Sequence, residues 1–140
     1  MNKISTLAPV GARLMLGLIF TVFGLNGFLH FIPIPPAEGA AGQFMGGLAA
    51  TGYFFPMLAG TQIAVGLALL ANRFAALALI VLAPITINIV AFHILAPDGM
   101  GMALFVLALH LGLAWHNRSA YAPLFQNRAH LSAAKKPAMS

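Results

Sequence analysis

Cysteine is absent from this 140-residue chain, and charge is scarce: seven Lys and Arg and two Asp and Glu, 6% of residues in all. Without Cys there is no disulfide, no thiol-disulfide exchange and no thiolate metal site. Soluble domains carry about a quarter of their residues charged, so an ordinary water-facing surface is excluded as well. The few basic residues do not cluster with aromatics on a polar surface that could track a phosphate backbone, so nucleic acid is set aside despite a net charge of +5. What remains is 61% hydrophobic with a mean hydropathy of +0.93. That is the composition of an integral membrane protein, and at this length of one compact unit. Any chemistry must come from His, amides, hydroxyls, Met or a bound cofactor.

Four apolar runs, about 11–32, 54–71, 74–95 and 100–116, read as membrane spans, the last two separated by Pro97-Asp98-Gly99 and the middle two by Asn72-Arg73. So short a connection as Asn72-Arg73 forces antiparallel neighbours. The expected fold is therefore all-α: an antiparallel bundle of four transmembrane helices within a domain covering 1–117. Pro33, Pro35 and Pro36 are expected to end the first helix, because proline lacks an N–H and restricts its neighbour to extended backbone. Between the first two spans, Phe44, Met45 and Leu48 fall at helical spacing, which reads as a short amphipathic helix at the membrane surface or as a Gly-rich loop. Pro84 sits mid-way along the third span and predicts a kink. Residues 118–140 read as a basic, mostly disordered tail.

Charge gives the orientation. Lys3, Arg13, Arg73, Arg118, Arg128, Lys135 and Lys136 all fall in segments that a four-span chain places on one side, whereas Glu38 and Asp98 fall in the two connections on the other. By the positive-inside rule both termini are cytoplasmic, in what reads as a bacterial inner membrane. Arg13 is expected to snorkel to that interface. Gly17, Thr21 and Gly24 on the first span, Gly60 and Ala64 on the second, and Ala108 and Gly112 on the fourth offer small surfaces for close helix packing.

Polar side chains in these runs need a reason. Asn26 and His30 stand four apart in Gly24-Leu25-Asn26-Gly27-Phe28-Leu29-His30, on one helical face to within about 40°. Gln62, Asn88 and His93 lie at comparable depth, counted from the outer ends of their spans. Asn88 and His93 differ by about 140°, so an ideal helix cannot present both on one stripe. Either the Pro84 kink or a π-bulge rotates one of them, or the two serve different interfaces. The amides read as interhelical hydrogen-bonding groups or as ligand contacts, and His30 and His93 pair as the core of a site. His110 reads as a packed core histidine.

Arg13-Leu14-Met15-Leu16-Gly17-Leu18-Ile19-Phe20, Phe23 through Phe31, Thr51-Gly52-Tyr53, Leu82-Ala83-Pro84-Ile85, Asn88 and Phe92-His93 together resemble the DoxX family of small four-helix membrane proteins, over about residues 12–117. The resemblance implies a four-helix bundle associated with membrane redox chemistry, since members are similar to the small subunit of a thiosulfate:quinone oxidoreductase. Gln62 stands where an acidic residue is common in relatives, and no Cys is present, which speaks against a proton-coupled or thiol-based mechanism.

Three functions follow as expectations. The first is a non-catalytic accessory subunit that binds a quinone or other lipophilic ligand in an outer-leaflet polar pocket of Asn26, His30, Gln62, Asn88 and His93, beside a larger membrane or periplasmic redox protein. The second is a scaffold or assembly factor that binds a partner protein or lipid, or forms a homo-oligomer. The third is a copper or haem site at the outer face, from His30, His93, Met57, Met100 and Met102. Transport lacks a mid-membrane charge to carry or couple an ion.

Overall fold

Where no water reaches the backbone, each segment must close its own hydrogen bonds, and long runs of Leu, Ala, Ile and Phe do so as helices. The computed structural model describes residues 3–125, and its regular elements are all helical: α1 (Lys3–Leu29), α2 (Gly39–Ala50), α3 (Phe54–Leu70), α4 (Ala75–Leu95), α5 (Met100–His116), α6 (Arg118–Tyr121) and a 3₁₀ turn (Ala122–Phe125). There is no strand among the described residues. α3, α4 and α5 match the expected second, third and fourth spans to within a residue.

The ends of α1 differ from expectation. It begins by Lys3, running through Pro9, and stops at Leu29 instead of Ile32. The prolines are not the stop signal. His30 takes a left-handed backbone (φ 51°), and the Asn26 amide then pairs with the peptide groups of Ile32: its Oδ1 accepts the Ile32 N–H at 2.6 Å and its Nδ2 donates to the Ile32 carbonyl at 3.2 Å. A side chain thereby supplies the end of α1 with the partners the broken helix would lack. Residues 118–125, expected as the start of a disordered tail, instead form α6 and the 3₁₀ turn, bent 71° from α5. The remainder of that tail, with Arg128, Lys135 and Lys136, lies outside the described residues.

Contacts run from α1 to α3, α3 to α4, α4 to α5 and α5 back to α1, which closes a ring. Leu16 and Phe20 from α1, Val65 and Leu69 from α3, Leu79 and Leu82 from α4, and Val106 and Leu113 from α5 form its buried centre. The α1–α3 pair is the most intimate. A Cβ on Gly17 would lie 3.0 Å from the Gly66 carbonyl oxygen, and one on Gly24 would lie 2.9 Å from the Ala59 carbonyl oxygen and the Ile63 nitrogen. Residue numbers fall along α3 as they rise along α1, so these two helices run in opposite directions.

Gly17, Thr21 and Gly24 thus pack as expected, but their partners are Ala59, Ile63 and Gly66. Gly60, Ala64, Ala108 and Gly112 face outward instead, with open space beside both glycines. The Thr21 hydroxyl donates to the Gly17 carbonyl at 2.8 Å, removing its cost at the interface. Arg13 does not simply reach for water. Its Nη1 donates to the carbonyls of Leu69 and, at 3.2 Å, Leu70, so a cation on α1 caps the C-terminus of α3.

The outer surface is apolar. Leu18, Leu77, Ile87 and Leu111 are each more than half exposed. Soluble monomers rarely expose contiguous apolar surface on this scale. α1, over Leu7–Leu29, and α4 are long and apolar enough to cross a membrane, and the count reaches four if α2 with α3 (bent 90°) and α5 with the following turns each make one span. Apolar helices of this length point to an integral membrane protein.

Candidate functional site

α2 is anchored over the sides of α3 and α4, and the space beneath it is a cavity of about 440 Å³. Thr51 sets the crossing, since its hydroxyl donates to the Leu48 carbonyl at 2.6 Å and accepts the Phe54 N–H at 3.3 Å, and Gly52 follows with φ 72°. Phe44, Met45 and Leu48 then point from α2 towards α3 and α4, with Phe44 against Phe92 at 6.4 Å between ring centres. Leu58 and Ile85 continue the apolar wall, and Gln62, Asn88 and His93 are set into it.

Three of the five anticipated polar residues therefore share one cavity, and two do not. Asn26 is buried at 5% exposure, its amide committed to Ile32, and His30 is exposed at the left-handed end of α1; neither lines the cavity. His30 and His93 are thus not a pair within it. Asn88 and His93 do share it, without a π turn: α4 is α-helical throughout, and the cavity covers enough of its circumference to take both. The groups missed from sequence are Phe44 and Phe92, whose contact ties α2 to α4. Their signal was the helical spacing that placed Phe44 with Leu48.

The polar inventory narrows what the cavity can hold. Asn88 Nδ2 donates to the Pro84 carbonyl at 2.9 Å, which leaves its Oδ1 and one N–H. His93 Nδ1 lies 2.7 Å from the Ile89 carbonyl; a carbonyl only accepts, so Nδ1 is the donor of that bond. The Thr61 hydroxyl donates to the Met57 carbonyl at 2.9 Å. Gln62 makes no side-chain hydrogen bond among the described residues, so its whole amide is open to a ligand. An apolar chamber with a few acceptors and donors of this kind suits a lipophilic molecule bearing carbonyl or hydroxyl groups.

His110 belongs elsewhere. It is buried between helices, with Nδ1 2.9 Å from the Thr86 hydroxyl, and so acts as the packed core histidine expected of it. For a metal, the described residues gather no group of three or more His, Asp or Glu. Met57 lines the cavity with His93, while Met102 projects outward at 53% exposure and His30 is also exposed.

Comparison of the chain with family models, with curated proteins and with solved structures finds no match.

Proposed function

We propose that this is a DoxX-like integral protein of the bacterial inner membrane, an antiparallel four-span bundle with cytoplasmic termini, that binds a quinone between α2, α3 and α4 as an accessory subunit of membrane redox chemistry. The single observation that carries the reading is the apolar cavity with an uncommitted Gln62 amide and a half-committed Asn88 amide in its wall. Quinone carbonyls accept from the amide N–H groups, and the hydroxyls of the reduced form donate to the Gln62 or Asn88 oxygen. The closed ring of helix contacts and the tight turn at Asn72-Arg73 support the four-span topology. The orientation is supported by Arg73 and Arg118 at one end of the helices, where Arg13 caps α3, against Glu38 and Asp98 in connections at the other.

Photolabelling with a quinone analogue in mild detergent tests the proposal. Label should enter peptides of α2, α3 and α4 and be displaced by excess quinone. Gln62→Leu, which removes hydrogen bonds worth about 1 kcal/mol, should weaken that displacement about fivefold. Labelling that ignores excess quinone, or that spreads over the lipid-facing helices, would sink the reading. Co-purification of a larger redox protein tests the accessory role separately.

A further inference from the structure

A second cavity lies at the other end of the helices, and it is built for an amphiphile. We propose that it holds one acyl chain of an anionic phospholipid, with Tyr121 at the ester and Arg118 at the phosphate. The cavity, about 350 Å³, opens between α4, α5 and the segment that bends back after α5. Its walls are mainly apolar, with Ile80 and Ala83 from α4, Ala114 from α5, and Leu124 and Phe125 from the returning turn; His110, whose Nδ1 is paired with the Thr86 hydroxyl, also borders it.

Two polar features follow in the order a phospholipid would meet them. The Tyr121 hydroxyl is buried and finds no hydrogen-bond partner among the described residues, although Tyr121 lines the cavity. A buried hydroxyl is normally paired, and an ester carbonyl at the membrane interface is an acceptor at the level where tyrosines settle. Arg118 precedes Tyr121 by three residues in α6, which places it one turn away on the same face. Its guanidinium stacks 5.2 Å from the Trp115 ring and gives one donor to the Trp115 carbonyl at 3.1 Å. Its remaining N–H groups make no hydrogen bond among the described residues and have the geometry to take phosphate oxygens.

Charge selects the lipid. Arg73, in the turn leading into α4, and Arg13, on the end of α3, lie at this same end, and both described acidic residues lie in connections at the opposite one. A zwitterionic headgroup would bring a cation to a surface that is already basic. An anionic one gains about a factor of five from the one Arg placed at its phosphate, Arg118.

The test is native mass spectrometry of the full chain released from micelles holding equal phosphatidylglycerol and phosphatidylcholine of identical acyl chains. Phosphatidylglycerol should be retained about fivefold over phosphatidylcholine, and Arg118→Gln should remove that preference. Tyr121→Phe and Ala83→Leu, which fills the cavity, should each lower retention of phosphatidylglycerol. Equal retention of the two lipids by the unaltered protein overturns the proposal without need of any variant. So does a preference that survives Arg118→Gln, or retention that is unchanged by Ala83→Leu. If Ala83→Leu fails to fold, Phe125→Ser alters the same wall at a position 84% exposed, and unchanged retention there overturns the proposal equally.

Discussion

Gly66→Ala adds one methyl group where α3 packs tightly against the backbone of α1, and the consequence can be worked from the contacts it would make. The new Cβ would collide with the Thr21 hydroxyl and lie 2.7 Å from the Thr21 nitrogen and 2.8 Å from the Gly17 carbonyl oxygen. Two of these are backbone atoms of α1, so no change of rotamer relieves them. Restoring an ordinary 3.4 Å separation from the Gly17 oxygen moves α1 away by roughly 0.6 Å, and a gap of that size forfeits about a quarter to a half of each neighbouring van der Waals contact. Overpacking of this kind costs about 1–3 kcal/mol, which is between about fivefold and 150-fold in the folded-to-unfolded ratio. Gly60→Ala makes the same chemical change on the same helix and meets nothing within 4 Å. It should be neutral to within about 0.5 kcal/mol. Titrating sodium dodecyl sulfate into mixed micelles, with unfolding followed by circular dichroism, measures both. The reasoning is refuted if Gly66→Ala unfolds with the unaltered protein, or if Gly60→Ala falls as far as Gly66→Ala.

Arg13→Gln should cost about 1.5–3 kcal/mol in the same titration, because the Leu69 and Leu70 carbonyls lose a charged donor at a helix C-terminus, and Arg13→Lys should recover only part of it. Asn26→Leu removes both partners of the Ile32 peptide groups, for a loss of about 1–3 kcal/mol, and hydrogen exchange at the Ile32 amide should quicken while amides in the middle of α1 stay protected. His30→Gly should stabilise by about 1 kcal/mol, since a left-handed residue there suits glycine, and should leave quinone photolabelling unchanged.

The helices were legible in the sequence because hydropathy and turn residues act within a few positions of where they are read. α3, α4 and α5 follow directly from apolar runs bounded by Tyr53, Asn72-Arg73 and Pro97-Asp98-Gly99. What hydropathy does not encode is which side of an apolar helix faces a neighbour. Gly60 and Gly66 are equivalent by composition, and only the spacing Ala59, Ile63, Gly66 against Gly17 and Gly24 distinguishes them, which requires knowing the partner helix. The end of α1 was misread for a related reason. Three prolines advertise a stop, but the stop is made earlier by a left-handed His30 and a side chain that reaches six residues ahead, and periodicity carries no trace of a chain reversal. Of the site, Gln62, Asn88 and His93 were recognisable as polar groups in an apolar run; that α2 folds over them was visible only as the spacing of Phe44, Met45 and Leu48.

The larger correction concerns what polar groups in such helices do. The amides read from sequence as interhelical bridges or ligand contacts, yet Asn88 pairs with the carbonyl four residues back in its own helix, as do Thr21, Thr61 and His93, and Asn26 pairs within its own segment. Where the backbone offers a nearby carbonyl, a short side chain satisfies itself locally and leaves the helix face usable for packing or for a cavity. Among the described residues, Thr86 with His110 and Arg13 with the end of α3 make side-chain hydrogen bonds that cross between helices. Gln62 differs from the short residues in length, which carries its amide away from its own backbone and into the cavity wall. Its hydrogen-bonding capacity is then the part of the cavity that a ligand must complete. Gln62→Leu should accordingly weaken quinone protection in photolabelling more than Asn88→Leu, whose donor is already engaged by Pro84. The opposite order would mean that the ligand is read from α4, and that Gln62 only fills the wall of α3.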